Sequence, residues 1–229
     1  MGKARESDQP QPKGFERVWR HWIRPLLFVL VVLGVFRSSV ADWNDVPTGS
    51  MEPTIAVGDR IAINKLAYDL KIPFTTWRVF QWGDPQRGDI VVFFEPNSKM
   101  RMVKRVIGVP GDEVELRYNQ LYINGSPVNY QWPQTFLSTV VGQEHLPNNR
   151  SHKLQVVPRR PNMATFGPVT VPEGEFMMMG DNRDNSRDSR AFGFIPRDAI
   201  IGEAFGVAMS FDLTESYRPR WERFFSDLD

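Results

Sequence analysis

One uninterrupted apolar stretch near the N-terminus constrains the fold more than any other feature of this chain. It runs from Pro25 to Phe36 as P-L-L-F-V-L-V-V-L-G-V-F and carries no charge over its twelve residues. A helix needs roughly 20 apolar residues to cross a bilayer, so the stretch is long enough only if Arg24 and Arg37 reach toward the two interfaces. With that extension, the sequence predicts a single transmembrane anchor over residues 21–42.

Two alternatives compete with a retained anchor. A buried core helix is disfavoured because β-rich domains rarely open with so unbroken an aliphatic helix. A cleaved signal peptide has a small-x-small site at Ser39 to Ala41, but the polar region before the apolar run is unusually long for one. Basic residues outnumber acidic ones before the segment, which predicts a cytoplasmic tail over residues 1–20. Residues 43–229 are then the extracytoplasmic domain of a protein that crosses the inner or plasma membrane once.

Composition limits the classes of function and fold. The 229 residues include no cysteine, which excludes disulfides, thiolate metal sites and a cysteine nucleophile. The formal charge of +1, with no block of Lys and Arg interleaved with aromatic residues, argues against nucleic acid as a partner. The 18 Pro and 17 Gly spread along the chain imply many turns and short elements. We therefore predict a mainly β, antiparallel domain after the anchor.

Apolar runs mark the strands of this domain. They include D-R-I-A-I-N-K-L-A-Y, G-D-I-V-V-F-F, M-V-K-R-V-I-G-V, E-F-M-M-M-G and A-I-I-G-E-A-F-G-V-A-M-S-F. V-E-L-R-Y-N-Q-L-Y-I-N-G-S-P-V predicts a hairpin with Asn124 and Gly125 at a turn. From Asn129 to Pro168 regular alternation is lost, so we predict an inserted, β-rich and loop-rich subdomain over about 113–170.

The turn G-S-M-E-P-T, just past the anchor, contains a candidate nucleophile, Ser50. A serine attacks a carbonyl only if a base removes its proton, and histidine is the usual base. His21 is predicted to lie across the membrane from Ser50. His145 and His152 fall in the inserted subdomain, where the interpretation we favour is that both are solvated surface side chains. A histidine triad is therefore disfavoured.

The alternative base is a lysine, which must be neutral to accept a proton. Period-2 alternation in the predicted strand from Met102 to Ile107 puts Lys104 on one face with Met102 and Val106. Lowering the pKa of such a lysine to about 8 takes roughly 3 kcal/mol, which burial can supply. The residues alone equally allow Lys104 to face water on an edge strand.

Four sequence boxes occur in order along the chain: G-S-M-E-P-T, G-D-I-V-V-F, K-R-V-I-G-V-P-G-D and M-G-D-N-R-D-N-S-R-D-S-R. Together they resemble those of bacterial type I signal peptidase (leader peptidase), a family of membrane-anchored Ser/Lys proteases. The resemblance extends from Pro47 to about Phe211. It implies a serine endopeptidase that cleaves N-terminal signal peptides from secretory preproteins and uses no cofactor or metal.

The resemblance also implies roles for individual residues. Ser50 becomes the nucleophile and Lys104 the general base. The hydroxyl of Thr48, where serine is common in the family, and the N–H of Ser50 form the oxyanion hole. Ser186 orients the lysine. Asp188 and Arg190, in the same box, form a structural ion pair near the site.

Substrate binding follows from the same resemblance. The implied partners are membrane lipid and preproteins whose signal peptides end in a small-x-small motif. The implied pocket positions are all apolar: Val46, Pro47, Met51, Ile55, Met102 and Val103. Asn44 departs from the large apolar residue expected at the pocket edge, which leaves the subsite preference there open.

Three other interpretations compete with this one. The polar run D-N-R-D-N-S-R-D-S-R, residues 181–190, could ligate a metal. An EF-hand register from Asn182, however, lacks the glycine expected at Arg187 and the glutamate expected at Gly193. The chain could instead be a non-enzymatic anchored β domain that binds or scaffolds exported proteins. It could also cleave itself, as self-cleaving repressors do, although the anchor and the lack of a DNA-binding domain disfavour that.

Overall fold

The computed structural model describes residues 14–75, 77–133, 139–157, 163–214 and 216–228. Its helices are α1 (Gly14–Val18), α2 (Arg24–Ser39) and α3 (Ser189–Phe192), with a wider π turn over Trp19–Ile23 between the first two. Its strands are β1 (Ala41–Asp45), β2 (Asp59–Asn64), β3 (Asp69–Lys71), β4 (Arg78–Gln81), β5 (Ile90–Phe94), β6 (Arg101–Gly108), β7 (Glu113–Arg117), β8 (Gln120–Ile123), β9 (Ser126–Pro127), β10 (Asn129–Gln131), β11 (Val140–His145), β12 (Ser151–Val156), β13 (Phe166–Thr170), β14 (Glu175–Met179), β15 (Ile195–Pro196), β16 (Ile200–Asp212), β17 (Arg218–Pro219) and β18 (Ser226–Asp227).

The N-terminal segment is a helix that is long and apolar enough to cross a membrane. The candidate span is Glu16–Ser39, 24 residues with a mean hydropathy of 1.6 and almost no burial against the rest of the chain. Pro25 cannot donate a hydrogen bond to the preceding turn, and the helix widens to a π turn there. The helix ends three residues before the predicted end of the anchor, because Ala41 and Asp42 already belong to β1. Most of the predicted tail over 1–20 lies outside the described residues.

The main sheet is antiparallel and has the order β1-β2-β16-β5-β6-β14-β15, with β17 and β18 also pairing with β16. The alternation in β2 buries Ile61 and Ile63 against the sheet core, as period-2 patterning requires. Three of the apolar runs predicted as strands become β5, β6 and β14, which lie side by side. The mainly β, antiparallel fold class is confirmed.

The range from Asn129 to Pro168 is more regular than the sequence indicates. It contains β10, β11 and β12, which form a three-stranded sheet, and it includes the start of β13, which joins β7, β8 and β9 in a four-stranded sheet. The predicted β-rich, loop-rich subdomain therefore has more regular strands than the loss of alternation indicated, because short strands of this kind bury few apolar side chains each. Residues 134–138 and 158–162 of this range lie outside the described residues.

The predicted hairpin turn at Asn124 and Gly125 is confirmed. Both residues have positive φ, 53° and 74°, as the two central positions of a type I′ turn require, and β8 pairs with β9 across them. A second tight turn precedes it at Tyr118 and Asn119, also with positive φ, between β7 and β8. The sequence indicated one turn in this stretch and the structure has two.

Candidate active site

The G-S-M-E-P-T box forms a tight turn that is fixed from behind by the polar run. Thr48 is extended, and Gly49–Met51 forms one turn of 3₁₀ helix. The backbone N–H of Asn182 donates to the carbonyl oxygen of Ser50 at 3.2 Å, and the Asn182 side-chain amide donates to the carbonyl oxygen of Gly49 at 2.9 Å. The backbone of the candidate nucleophile is thus held at two adjacent carbonyls.

Lys104 lies in the middle of β6 and its amine reaches Ser50. The distance from Nζ to the Ser50 Oγ is 2.5 Å, and Nζ also donates to the carbonyl oxygen of Val103 at 3.0 Å. Lys104 is only 2% exposed. Met102 and Val106 pack with one buried cluster and Val103 with another, in agreement with the predicted alternation of faces. A solvent-facing Lys104 is therefore ruled out.

Burial lowers the pKa of Lys104 from 10.5 to about 8, because the ammonium form loses its hydration. The carboxylates of Asp188 and Asp181 act in the opposite direction, and the guanidinium of Arg190 adds to the lowering. At pH 7 a pKa of about 8 leaves about one lysine in ten neutral, compared with about one in 3,000 at 10.5. The environment of Lys104 thus produces the protonation state that a base requires.

The polar run supplies a buried ion pair beside the lysine. Arg190 donates from Nε and Nη2 to the two carboxylate oxygens of Asp188, both at 2.8 Å, and the pair is almost completely buried. Burial raises the pKa of Asp188, but Arg190 and the backbone N–H of Gly180 outweigh it, so the net pKa is lowered. Ser186 is buried nearby, yet among the described residues its hydroxyl makes no hydrogen bond to Lys104.

Gly180 is the point at which the two halves of the site touch. A Cβ placed on Gly180 would lie 2.2 Å from the Ser186 Oγ and 2.4 Å from the carbonyl oxygen of Ser50. Only a residue without a side chain fits in that space. The glycine therefore allows the end of β14 to pass directly behind the candidate nucleophile.

A second ion pair, which sequence reasoning missed, connects the boxes. Arg105 donates to both carboxylate oxygens of Asp181, at 2.9 and 2.8 Å, and the Thr54 hydroxyl donates to the same carboxylate at 2.6 Å. Thr54 belongs to the nucleophile turn, Arg105 follows Lys104 on β6, and Asp181 opens the polar run. The sequence contained one indication of this pair: Arg105 and Asp181 are charged residues in two of the four boxes, and a buried charge needs a partner.

The histidines are not where the sequence led us to expect them. His152 is 3% exposed and its Nε2 lies 3.1 Å from a carboxylate oxygen of Glu144, which is fully buried and also accepts from Arg183 at 2.6 Å. The surface assignment of His152 is wrong, because its ion partners come from β11 and the polar run. His145 is half-buried. Within the described part of the chain, neither histidine makes a hydrogen bond to Ser50.

The six predicted pocket positions divide into a buried floor and an exposed rim. Val46, Met51, Ile55 and Val103 are buried and pack into one cluster below the nucleophile turn. Pro47 is exposed and Met102 half-buried. Thr48 is exposed, and its side chain makes no cap hydrogen bond to the turn. Asn44 donates to the carbonyl oxygen of Asp45 at 2.9 Å and is half-buried in β1.

Known proteins match the chain over most of its length. A family model described as signal peptidase, peptidase S26, matches residues 19–209. Signal peptidase I of Pseudomonas aeruginosa is 38% identical over 216 residues, which cover 87% of this chain and 75% of that protein. Signal peptidase I of Rickettsia typhi is 36% identical over 213 residues, 82% of this chain and 79% of that protein. A crystal structure of a signal peptidase I from Enterococcus faecalis matches with 33% identity, over 52% of this chain and 96% of that one, at a TM-score of 0.35.

Proposed function

Because this chain belongs to the signal peptidase family, peptidase S26, and is a protease that cleaves signal peptides, we propose that Ser50 is its nucleophile and Lys104 its general base. The observation that carries the proposal is the 2.5 Å distance between Lys104 Nζ and Ser50 Oγ, with the lysine almost fully buried. A base must lie within hydrogen-bond reach of the proton it takes, and its pKa must lie near the working pH. Lys104 meets both conditions.

The chemistry proceeds in two halves. As Ser50 Oγ bonds to the carbonyl carbon of the scissile peptide, its proton passes to neutral Lys104 Nζ. The resulting ammonium returns that proton to the departing amine as the C–N bond breaks, leaving an acyl-enzyme on Ser50. A water molecule, deprotonated by the Lys104 amine, then attacks the ester carbonyl. The ammonium returns the proton to Ser50 Oγ as the bond between Ser50 and the acyl carbon breaks and the signal peptide leaves. The negative oxygen formed in each half is stabilised by the Thr48 hydroxyl and the N–H of Ser50.

Three residues of the polar run act through Lys104 in this proposal. The ion pair of Asp188 and Arg190 presents both a negative and a positive charge to the lysine, so the two partly cancel and burial decides its pKa. Ser186, buried near the ion pair, is assigned the lysine-orienting role by the family resemblance. We class all three as positioning residues.

Substrate selection rests on the floor of buried apolar side chains. The floor residues Met51 and Ile55 are 1% and 0% exposed, so they close this surface from beneath, and we infer that it is shallow. A shallow apolar surface admits alanine or glycine and excludes large side chains. The substrates are therefore secretory preproteins with a small residue at the cleavage site and another two positions before it.

The helix over Glu16–Ser39 serves as the membrane anchor, with the N-terminus in the cytoplasm and the β domain outside it. The excess of basic residues ahead of the helix supports that orientation. Protease added to sealed, right-side-out vesicles should then digest the β domain. Digestion only after the vesicles are lysed would reverse the orientation.

The deciding experiment measures cleavage of a preprotein that bears an Ala-x-Ala site by the full chain in detergent. Ser50→Ala and Lys104→Met should each lower kcat by about 10³-fold or more, because each removes a group from the reacting atoms. Lys153→Met, at an exposed position of β12, is the matched control and should be as active as the unaltered protein.

The competing interpretations make different predictions in the same assay. Full activity of Lys104→Met would overturn the Ser/Lys mechanism. Loss of activity in His145→Ala, with folding intact, would revive a histidine base. No cleavage of any preprotein by the unaltered chain would favour a scaffold that binds exported proteins.

A further inference from the structure

A cavity of about 200 Å³ lies where the apolar helix meets the β domain. Ser38, in the last turn of α2, forms one side of it, and Lys65, Lys71 and Arg101 supply cationic side chains to its lining. Since a water molecule occupies about 30 Å³ of liquid, the cavity has room for a group the size of a phosphate. None of these residues belongs to the site around Ser50.

The cavity has more positive charge than its own carboxylates balance. Asp42, on its wall, is shared by three cations: Arg37, Lys65 and Arg101 contact its oxygens at 3.1, 3.3 and 3.1 Å. A single carboxylate cannot neutralise three cations. The Nε of Arg101 is also buried, with no hydrogen-bond partner among the residues that the structure describes.

Beside the cavity, the same pattern occurs at Asp69, which pairs with the lining residue Lys71. Asp69 is also shared by three cations, Lys71, Arg78 and Arg197, at 3.1, 2.9 and 2.9 Å. Arg78 and Arg197 each contact one further carboxylate as well, Asp198 and Asp84. The lining itself contains three cations, Lys65, Lys71 and Arg101, and two carboxylates, Asp42 and Asp198, so its formal charge is positive. Phosphate oxygens accept the strongest hydrogen bonds from such groups.

The position of the cavity identifies the source of the phosphate. Lys65 Nζ donates to the last free carbonyls of α2, at Arg37 and Ser38, at 2.9 and 3.1 Å, so the cavity is fixed at the height of the helix end. If α2 crosses the bilayer, as proposed above, its end lies among the lipid headgroups.

The hairpin of β3 and β4 places apolar side chains at the same level. Phe74, 73% exposed, lies against Gly34 of α2, and its backbone N–H donates to the Ser38 hydroxyl at 2.6 Å. Trp77 and Phe80 extend the exposed aromatic surface, at 73% and 66%. A free phosphate ion needs no such surface beside its site, whereas a lipid does.

We propose that this cavity binds the phosphate of an anionic phospholipid headgroup, with Arg101 as the hydrogen-bond donor and the exposed aromatic residues Phe74, Trp77 and Phe80 beside the acyl chains. Lys71 adds positive charge nearby, while its own N–H groups bond Asp69 and the carbonyl oxygens of Ile200 and Ile201. The site is separate from the proteolytic one. It fixes the height and tilt of the β domain on the membrane surface.

The test is a titration of the full-length protein in neutral detergent with short-chain phosphatidylglycerol, followed by native mass spectrometry. Phosphatidylcholine and inorganic phosphate serve as comparison ligands. A cation near a membrane surface contributes about a factor of five in binding, so Lys71→Gln with Arg101→Gln should weaken phosphatidylglycerol binding about 25-fold. The carboxylates Asp42 and Asp69 each keep two other cations in that variant. Lys71→Gln also removes the bonds to the carbonyl oxygens of Ile200 and Ile201, so a thermal melt checks that the variant folds.

Two matched variants separate charge from packing. Arg117→Gln with Lys153→Gln removes two exposed charges from β7 and β12 and should leave binding within twofold. Arg101→Lys keeps the charge and should also stay within about twofold. Unchanged binding in the double Gln variant, or equal loss in Arg101→Lys, would overturn the proposal. Displacement of the lipid by an equal concentration of inorganic phosphate would overturn the assignment to a lipid.

Discussion

The burial of Lys104 should make the active protein less stable than an inactive variant. With a pKa of about 8 in the folded chain and 10.5 as its ordinary value, the unfolded chain binds the extra proton between those pH values. Stability therefore rises with pH across this window, and below pH 8 the folded chain carries the full penalty. That penalty is about 3 kcal/mol at pH 7, at about 1.36 kcal/mol per pKa unit, and falls to about 1 kcal/mol at pH 9.5.

Lys104→Met removes the charge and keeps most of the side-chain volume. We expect it to be more stable than the unaltered protein by about 3 kcal/mol at pH 7 and by about 1 kcal/mol at pH 9.5. Urea unfolding of the full chain in detergent, followed by tryptophan fluorescence at both pH values, measures the difference. The diagnostic quantity is the decrease in this stability difference between pH 7 and pH 9.5, because the effect of a packing change alone does not depend on pH. For the control Lys153→Met, the difference in unfolding free energy from the unaltered protein should be the same at both pH values. If the difference for Lys104→Met is also the same at both pH values, a buried lysine of lowered pKa is refuted.

Three further outcomes follow from the site. The kcat/KM of the unaltered protein should rise with pH through a midpoint near 8 and fall about tenfold per unit below it, because only neutral Lys104 accepts the proton; a flat profile from pH 6 to 9 would contradict this. Gly180→Ala should lower kcat about 100-fold, since its Cβ would lie 2.4 Å from the Ser50 carbonyl oxygen and shift the nucleophile by about 1 Å. Gly83→Ala, which meets no atom within 4 Å, is its control. Arg190→Gln leaves the Asp188 charge buried without its partner, so we expect a stability loss of about 3–5 kcal/mol in urea unfolding. The same variant should move the kcat/KM midpoint to higher pH, because it removes a cation that lowers the pKa of Lys104; an unmoved midpoint would argue against that electrostatic role.

The local sequence pattern was sufficient to predict the strands that carry the candidate catalytic residues. The alternation around Lys104 predicted the faces of β6, and Asn124 with Gly125 predicted a hairpin turn, because both depend on near neighbours in sequence. The family assignment, made from four short boxes, is confirmed by a family model that matches residues 19–209. The roles of Ser50 and Lys104 remain predictions that the 2.5 Å contact supports.

Features that depend on distant partners were beyond local pattern. His152 looked like a surface residue because its neighbours, Glu144 across the β11–β12 pair and Asp181 in the polar run, come close to it only when the chain folds. The link from Thr54 through Asp181 to Arg105 likewise joins three separate segments. Charge pairing of this kind becomes visible only when the strands are assembled, since any of several acidic and basic residues could satisfy the same requirement.

The junction between α2 and β1 is short enough to couple the orientation of the β domain to that of the proposed membrane anchor. Only Val40 separates the end of the helix at Ser39 from the first residue of the strand, and Lys65 holds the joint at two carbonyls. A helix of 24 residues is about 36 Å long, longer than a hydrocarbon core of about 30 Å, and tilting accommodates the excess. If the helix crosses the bilayer as proposed, this one-residue connection passes a change in helix tilt to the β domain, and the position of Ser50 relative to the membrane surface then depends on bilayer thickness.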